Sequence, residues 1–89
     1  VPRNFGIRNV FPNPFNPSAQ LMIAVPIAGQ VEFTVFNVLG QRVTTLVDGK
    51  LSAGTHTVVW NASNSPSGVY FATLDVNGYR DTRKLVLVR

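Results

Sequence analysis

From Ser18 onward apolar and polar residues alternate with a period of two, and turn signals interrupt the alternation at roughly 8–12-residue intervals. Leu21, Ile23 and Val25 alternate with Gln20, Met22 and Ala24 until Pro26 stops the run. Gly29 opens a second run, with Val31, Phe33 and Val35 against Glu32 and Thr34. The segment 42–47 is rich in β-branched residues, and His56, Val58 and Trp60 alternate with Thr55, Thr57 and Val59. Tyr70, Ala72, Leu74 and Val76 form a continuous apolar set opposite Thr73 and Asp75, so they are expected to face the core. Asn77-Gly78 is the signature of a type I′ turn and predicts that 68–76 and 79–88 pair as a hairpin. Asn37–Gly40 and Asp48-Gly49 read as further turns, 51–54 as a connector and 61–67 as a polar loop. No window carries the charged stripe of a surface helix. The fold class is therefore all-β, an antiparallel β-sandwich of about seven strands.

Ahead of these runs stands Phe11-Pro-Asn-Pro-Phe-Asn-Pro-Ser18. Proline fixes φ, removes an amide donor and drives the preceding residue toward extended geometry, so this stretch is stiff and cannot lie in a central strand. It is expected to act as a plug that starts the domain, with Phe11 and Phe15 burying their rings. At the other end, Leu85 and Leu87 are in phase with Asp81 and Arg83, whereas Val86 and Val88 are in phase with Thr82 and Lys84. This mixed phase predicts a bulge, or a strand covered on both sides.

Composition excludes most chemistry. The chain has 89 residues, enough for one small domain, and no cysteine, so it has no thiolate nucleophile, thiolate zinc site or disulfide. Charged residues make up only 13%, which leaves the solvent face to Thr, Ser, Asn and Gln. Four of the eight basic residues, Arg80, Arg83, Lys84 and Arg89, fall in the last ten positions. They are interleaved with aliphatic side chains, which suits a solvated strand end or a docking patch rather than a nucleic-acid surface. His56 is the single histidine and has no second ligand type near it in sequence, so it is expected to be structural. The four carboxylates are scattered, and the glycines stand singly at turns, without a phosphate-binding loop. Asn13, Asn16 and Asn64 read as turn-capping residues rather than calcium ligands, and the tripeptide Asn61-Ala62-Ser63 and the PxxP at 14–17 are chance-level patterns. No catalytic, cofactor or metal residue is expected, and no apolar run approaches the about 18 residues of a membrane-spanning helix. The abrupt start at Val1-Pro2 reads as a module cut from a longer protein.

Ser67-Gly-Val-Tyr70, preceded by Pro66, resembles the approach to the sixth strand of immunoglobulin-like domains, where a tyrosine closes a corner on upstream backbone. Together with Phe11–Ser18, Asn37-Val-Leu-Gly-Gln-Arg-Val43, Gly54-Thr-His-Thr-Val-Val-Trp60 and Lys84-Leu-Val-Leu-Val-Arg89, it resembles the C-terminal sorting domain of the type IX secretion system. Flagellar hook-cap immunoglobulin-like domains are related. The resemblance implies a single domain over 1–89 at the C-terminus of a larger exported parent, an enzyme or adhesin. It implies recognition by outer-membrane secretion machinery, passage through the periplasm, removal by a surface peptidase and delivery to the cell surface or medium. Carried over by position, Gly68 and Tyr70 match one family motif and 84–88 the terminal one, which makes Gly68, Tyr70, Lys84, Leu85 and Val86 candidate docking residues. The concentration of positive charge beside the aliphatic run adds Arg83 and Arg89, which with Lys84 are expected to steer docking. Two alternatives stay open at this point: a purely structural domain of the hook-cap or spacer kind, and a carbohydrate-binding module with Trp60 and Tyr70 as its platform.

Overall fold

The alternation resolves into seven strands: β1 (Gly6–Phe11), β2 (Ser18–Val25), β3 (Gly29–Asn37), β4 (Arg42–Leu51), β5 (Gly54–Asn61), β6 (Gly68–Val76) and β7 (Tyr79–Leu87). The structure, a computed structural model, describes residues 5–11 and 17–88. Two antiparallel sheets form, in the orders β1-β2-β5 and β4-β3-β6-β7. In the constant-type immunoglobulin arrangement the fourth strand joins the first, second and fifth. Here the Asn37–Gly40 turn is tight enough to return β4 directly onto β3. The immunoglobulin-like sandwich expected from sequence is thus the observed fold.

The core lies between the sheets. Leu21, Ile23 and Val25 from β2 meet Val31, Phe33 and Val35 from β3, with Leu74 and Val76 from β6, all essentially without solvent exposure. Removing this apolar area from water is the main stabilising term in a domain that lacks disulfides. The β6–β7 hairpin closes at Asn77-Gly78, where both residues take positive φ (50° and 86°), as a type I′ turn requires.

Four expectations need correction. The Asn-Pro segment does not start the domain, because β1 precedes it and pairs with β2. Phe11 is 68% exposed rather than buried, and Phe15 lies outside the described residues, as do Asn13 and Asn16. Asp48-Gly49 is not a turn: β4 runs through it, pairing Asp48 with Glu32 and Gly49 with Val31. The pairing of β6 with β7 is continuous from Gly68↔Leu87 to Val76↔Tyr79, so β7 carries no bulge. Its inward set instead changes character along the strand, with Asp81 and Arg83 in the first half and buried Leu85 and Leu87 in the second. The bulges lie elsewhere, at Arg8 in β1 and within β4.

Candidate docking surface

The change of character along β7 has a structural cause. β7 ends one sheet and β1 ends the other, so the inward side chains of its first half meet backbone rather than core. The Ile7 amide donates to Asp81 Oδ2 at 2.8 Å, and Arg83 Nη2 donates to the Ile7 carbonyl at 2.6 Å. The backbone N–H and C=O of Ile7, next to the Arg8 bulge, are thus both satisfied by side chains of the opposite sheet. Gly6 makes the approach possible. Its φ is +128°, and a Cβ there would stand 2.9 Å from Asp81 Oδ2. Phe5 and Tyr79, with ring centroids 5.7 Å apart, extend the same seam.

A second construction holds the opposite end of β6. Tyr70 is buried, and its hydroxyl donates to the Pro66 carbonyl at 2.6 Å, which is the corner expected from sequence. Trp60 meets the Tyr70 ring edge-on at 5.2 Å. With both rings buried, neither offers an open platform to a sugar. The Ala62 amide donates to the Pro17 carbonyl, tying the end of β5 to the start of β2. His56 Nε2 lies 2.8 Å from the Ser52 carbonyl, a structural contact at the far end of β5.

The registers bring these segments to one pole of the sandwich. β2 starts there with Ser18 opposite Asn61, β3 ends there with Asn37 opposite Tyr70, and β7 ends there with Leu87 opposite Gly68. The turn after β3 is held by Asn37, whose Oδ1 accepts from the Leu39 and Gln41 amides at 2.9 and 3.0 Å while Nδ2 donates to Gln41 Oε1. This fixed turn presents Val38 and Leu39 to solvent, 67% and 78% exposed, beside a groove of about 290 Å³ lined in part by Val43, Pro66, Gly68 and Val69.

Of the docking residues expected from sequence, Gly68 and Lys84 are exposed, Val86 is half-buried, and Tyr70 and Leu85 are buried in the core. Arg83 is engaged at the β1 seam. Arg89 lies outside the described residues. Val38 and Leu39 lie within the 37–40 turn; the signal that marks them in the sequence is an aliphatic pair at positions where turns normally carry polar residues.

A family model described as the secretion system C-terminal sorting domain matches residues 9–88. The chain belongs to that family. No curated protein matches it. The five sequence blocks that resemble type IX sorting domains all overlap the matched span. As a sorting domain, the chain is a C-terminal signal for type IX secretion, and it serves export by way of the outer membrane and interaction with the secretion machinery. No helix of the described residues is long and apolar enough to cross a membrane.

Proposed function

We propose that this sorting domain is a non-catalytic module of a larger exported protein, an enzyme or adhesin, and that its strand-end pole is what the secretion machinery reads. The family match over 9–88 carries the reading. Its fold supports it: buried polar tips are spent on corners and seams, and the exposed apolar pair sits on an over-determined turn. In this reading the parent crosses the periplasm, passes the outer membrane, and is released or attached at the cell surface after a surface peptidase removes the module.

Within the pole, Lys84 supplies charge and Val38, Leu39 and Gly68 supply contact area, while Tyr70 and Leu85 keep the shape. Charge on a docking face chiefly raises the rate of encounter, and the apolar contact supplies affinity. Arg83 belongs to the seam, so its loss acts through stability.

The test is a reporter protein carrying the 89 residues at its C-terminus, expressed in cells with a working type IX system. The expected result is reporter in the medium or on the surface, with Lys84→Ser and Leu39→Ser each reducing export at unchanged melting temperature. Arg83→Ser should lower the melting temperature first. Reporter retained in the periplasm with the unaltered module would sink the proposal. Full export by a folded Lys84→Ser, Leu39→Ser double variant would remove the pole as the recognised surface.

A further inference from the structure

The outer face of β4-β3-β6-β7 is ordered in bands that run across the strands. Antiparallel partners share a face, so the registers put Asp48, Glu32, Asp75 and Arg80 side by side in one band. The next band is Thr45, Thr34, Thr73 and Thr82, and the third is Arg42, Phe36, Phe71 and Lys84. Three of the four acidic residues of a chain with net charge +4 therefore stand on adjacent strands.

Folding does not ask for this arrangement, because like charges directly opposite one another destabilise a sheet. Compensation reaches only the flanks. Gln30 Nε2 donates to Asp48 Oδ1 at 3.2 Å, and Arg80 Nη2 donates to Asp75 Oδ2 at 3.2 Å. Glu32, between two carboxylates, has no partner among the described residues.

A second observation is independent of charge. Thr34 is only 2% exposed, and its Oγ1 has no hydrogen-bond partner. A buried hydroxyl left unpaired is costly, and native proteins rarely tolerate one without a reason. Thr34 lines a groove of about 160 Å³ with Glu32, Asp75, Phe36 and, at its edge, the Arg80 that pairs with Asp75; the Thr73–Thr82 hydroxyl pair, 3.2 Å apart, lines it too.

The geometry points to a receptor site for a cationic side chain, a guanidinium or ammonium group on an aliphatic stem, from a basic segment of a partner polypeptide. The charged head lies over the Glu32 carboxylate, the main charge-assisted acceptor, and beside Asp75, whose Oδ2 already accepts from Arg80. Thr34 Oγ1 accepts a further N–H from the floor. The stem crosses the threonine band toward the Phe36 ring. Arg42 and Lys84 stand at the Phe36 end, four residues or about 13 Å from Glu32 along β3, and orient the ligand with its positive end away from them. No three acidic or imidazole groups among the described residues converge as metal ligands, so an organic cation fits this band better than a metal ion. The inference is independent of the export reading and is tested on the isolated protein.

The experiment is a ¹H–¹⁵N titration of the 89-residue chain with the peptide acetyl-Gly-Arg-Gly-amide, beside its citrulline analogue, which keeps the shape and loses the charge, and beside a neutral disaccharide. The arginine peptide should shift the amides of Thr34, Phe36 and Thr73, and added salt should weaken its binding. Glu32→Gln, at an exposed position, should weaken it about tenfold through loss of a charge-assisted contact. Thr34→Val should weaken it about threefold while raising the melting temperature, because the unpaired hydroxyl is gone. Equal shifts with citrulline, no shift on this face, or unchanged affinity in Glu32→Gln would each overturn the assignment. So would shifts produced by the disaccharide alone, which would make the groove a polyol site.

Discussion

Phe33 and Phe36 lie three residues apart on β3, on opposite faces of one sheet. Phe33 has no solvent exposure and packs among Val31, Val35, Leu74 and the β2 aliphatics, while Phe36 is half-buried in a row of charged and aromatic neighbours. Around Phe33 the inner face is uniform and interchangeable in chemistry: its only requirement there is volume. The outer face is sorted by charge and hydroxyl content, in an order that packing does not explain. Where a sheet departs from what folding needs, the departure is the place to look for function.

The sharpest way to break this contrast is to truncate both rings. Phe33→Ala should cost about 4 kcal/mol, since a fully buried ring leaves a cavity between sheets that cannot collapse on it. Phe36→Ala should cost about 1 kcal/mol, the loss of a partly solvated contact. Urea unfolding followed by Trp60 fluorescence reads both. Equal losses would mean that the two faces are energetically alike and that the contrast has no content.

Next in size is the stretch where the inner face turns polar. Asp81→Ala removes the acceptor of the Ile7 amide and leaves that buried donor unpaired, while the Arg83 bond to the Ile7 carbonyl is kept. The expected loss is about 2 kcal/mol, with amide exchange accelerating first in β1. Uniform acceleration across both sheets would show that the seam is not a separate unit. Tyr70→Phe follows at about 1 kcal/mol, because it deletes only the hydroxyl bond to Pro66 and keeps the ring against Trp60.

These sites also mark how far the sequence could be read. Strands β2, β3, β5 and β6 were legible because an uninterrupted period of two names both the strand and its buried face, and the Tyr70 corner was legible from Pro66 and Gly68. β1 was not, since the Arg8 bulge puts Arg8 and Asn9 outward in succession and erases the alternation between Ile7 and Val10. β4 was cut short for the converse reason: Asp48-Gly49 is a turn dipeptide in isolation, and only pairing with Glu32 and Val31 makes it strand. Asp81 and Arg83 looked like surface charges because their partner is a backbone unit 74 and 76 positions away. The candidate sites were the least legible part. The pole and the carboxylate band are made by register between strands, and a single sequence does not contain its registers.

The smallest effect discriminates best. Glu32 stands between Asp48 and Asp75 with no cation opposite it, so neutralising it should stabilise the fold, by about 0.3 kcal/mol at low salt. An inner-face substitution has no such option, because every atom removed there is lost contact. The gain should shrink as salt rises, since screening already removes part of the repulsion in the unaltered chain. Asp75→Asn should gain less, or nothing, because it also gives up the exposed pair with Arg80, itself worth at most about 1 kcal/mol. Paired thermal melts of the two variants at low and high salt read the difference. If Glu32→Gln destabilises the chain instead, the carboxylate makes a favourable contact within the fold, and the band is part of what holds the sheet together rather than a feature kept in spite of its cost.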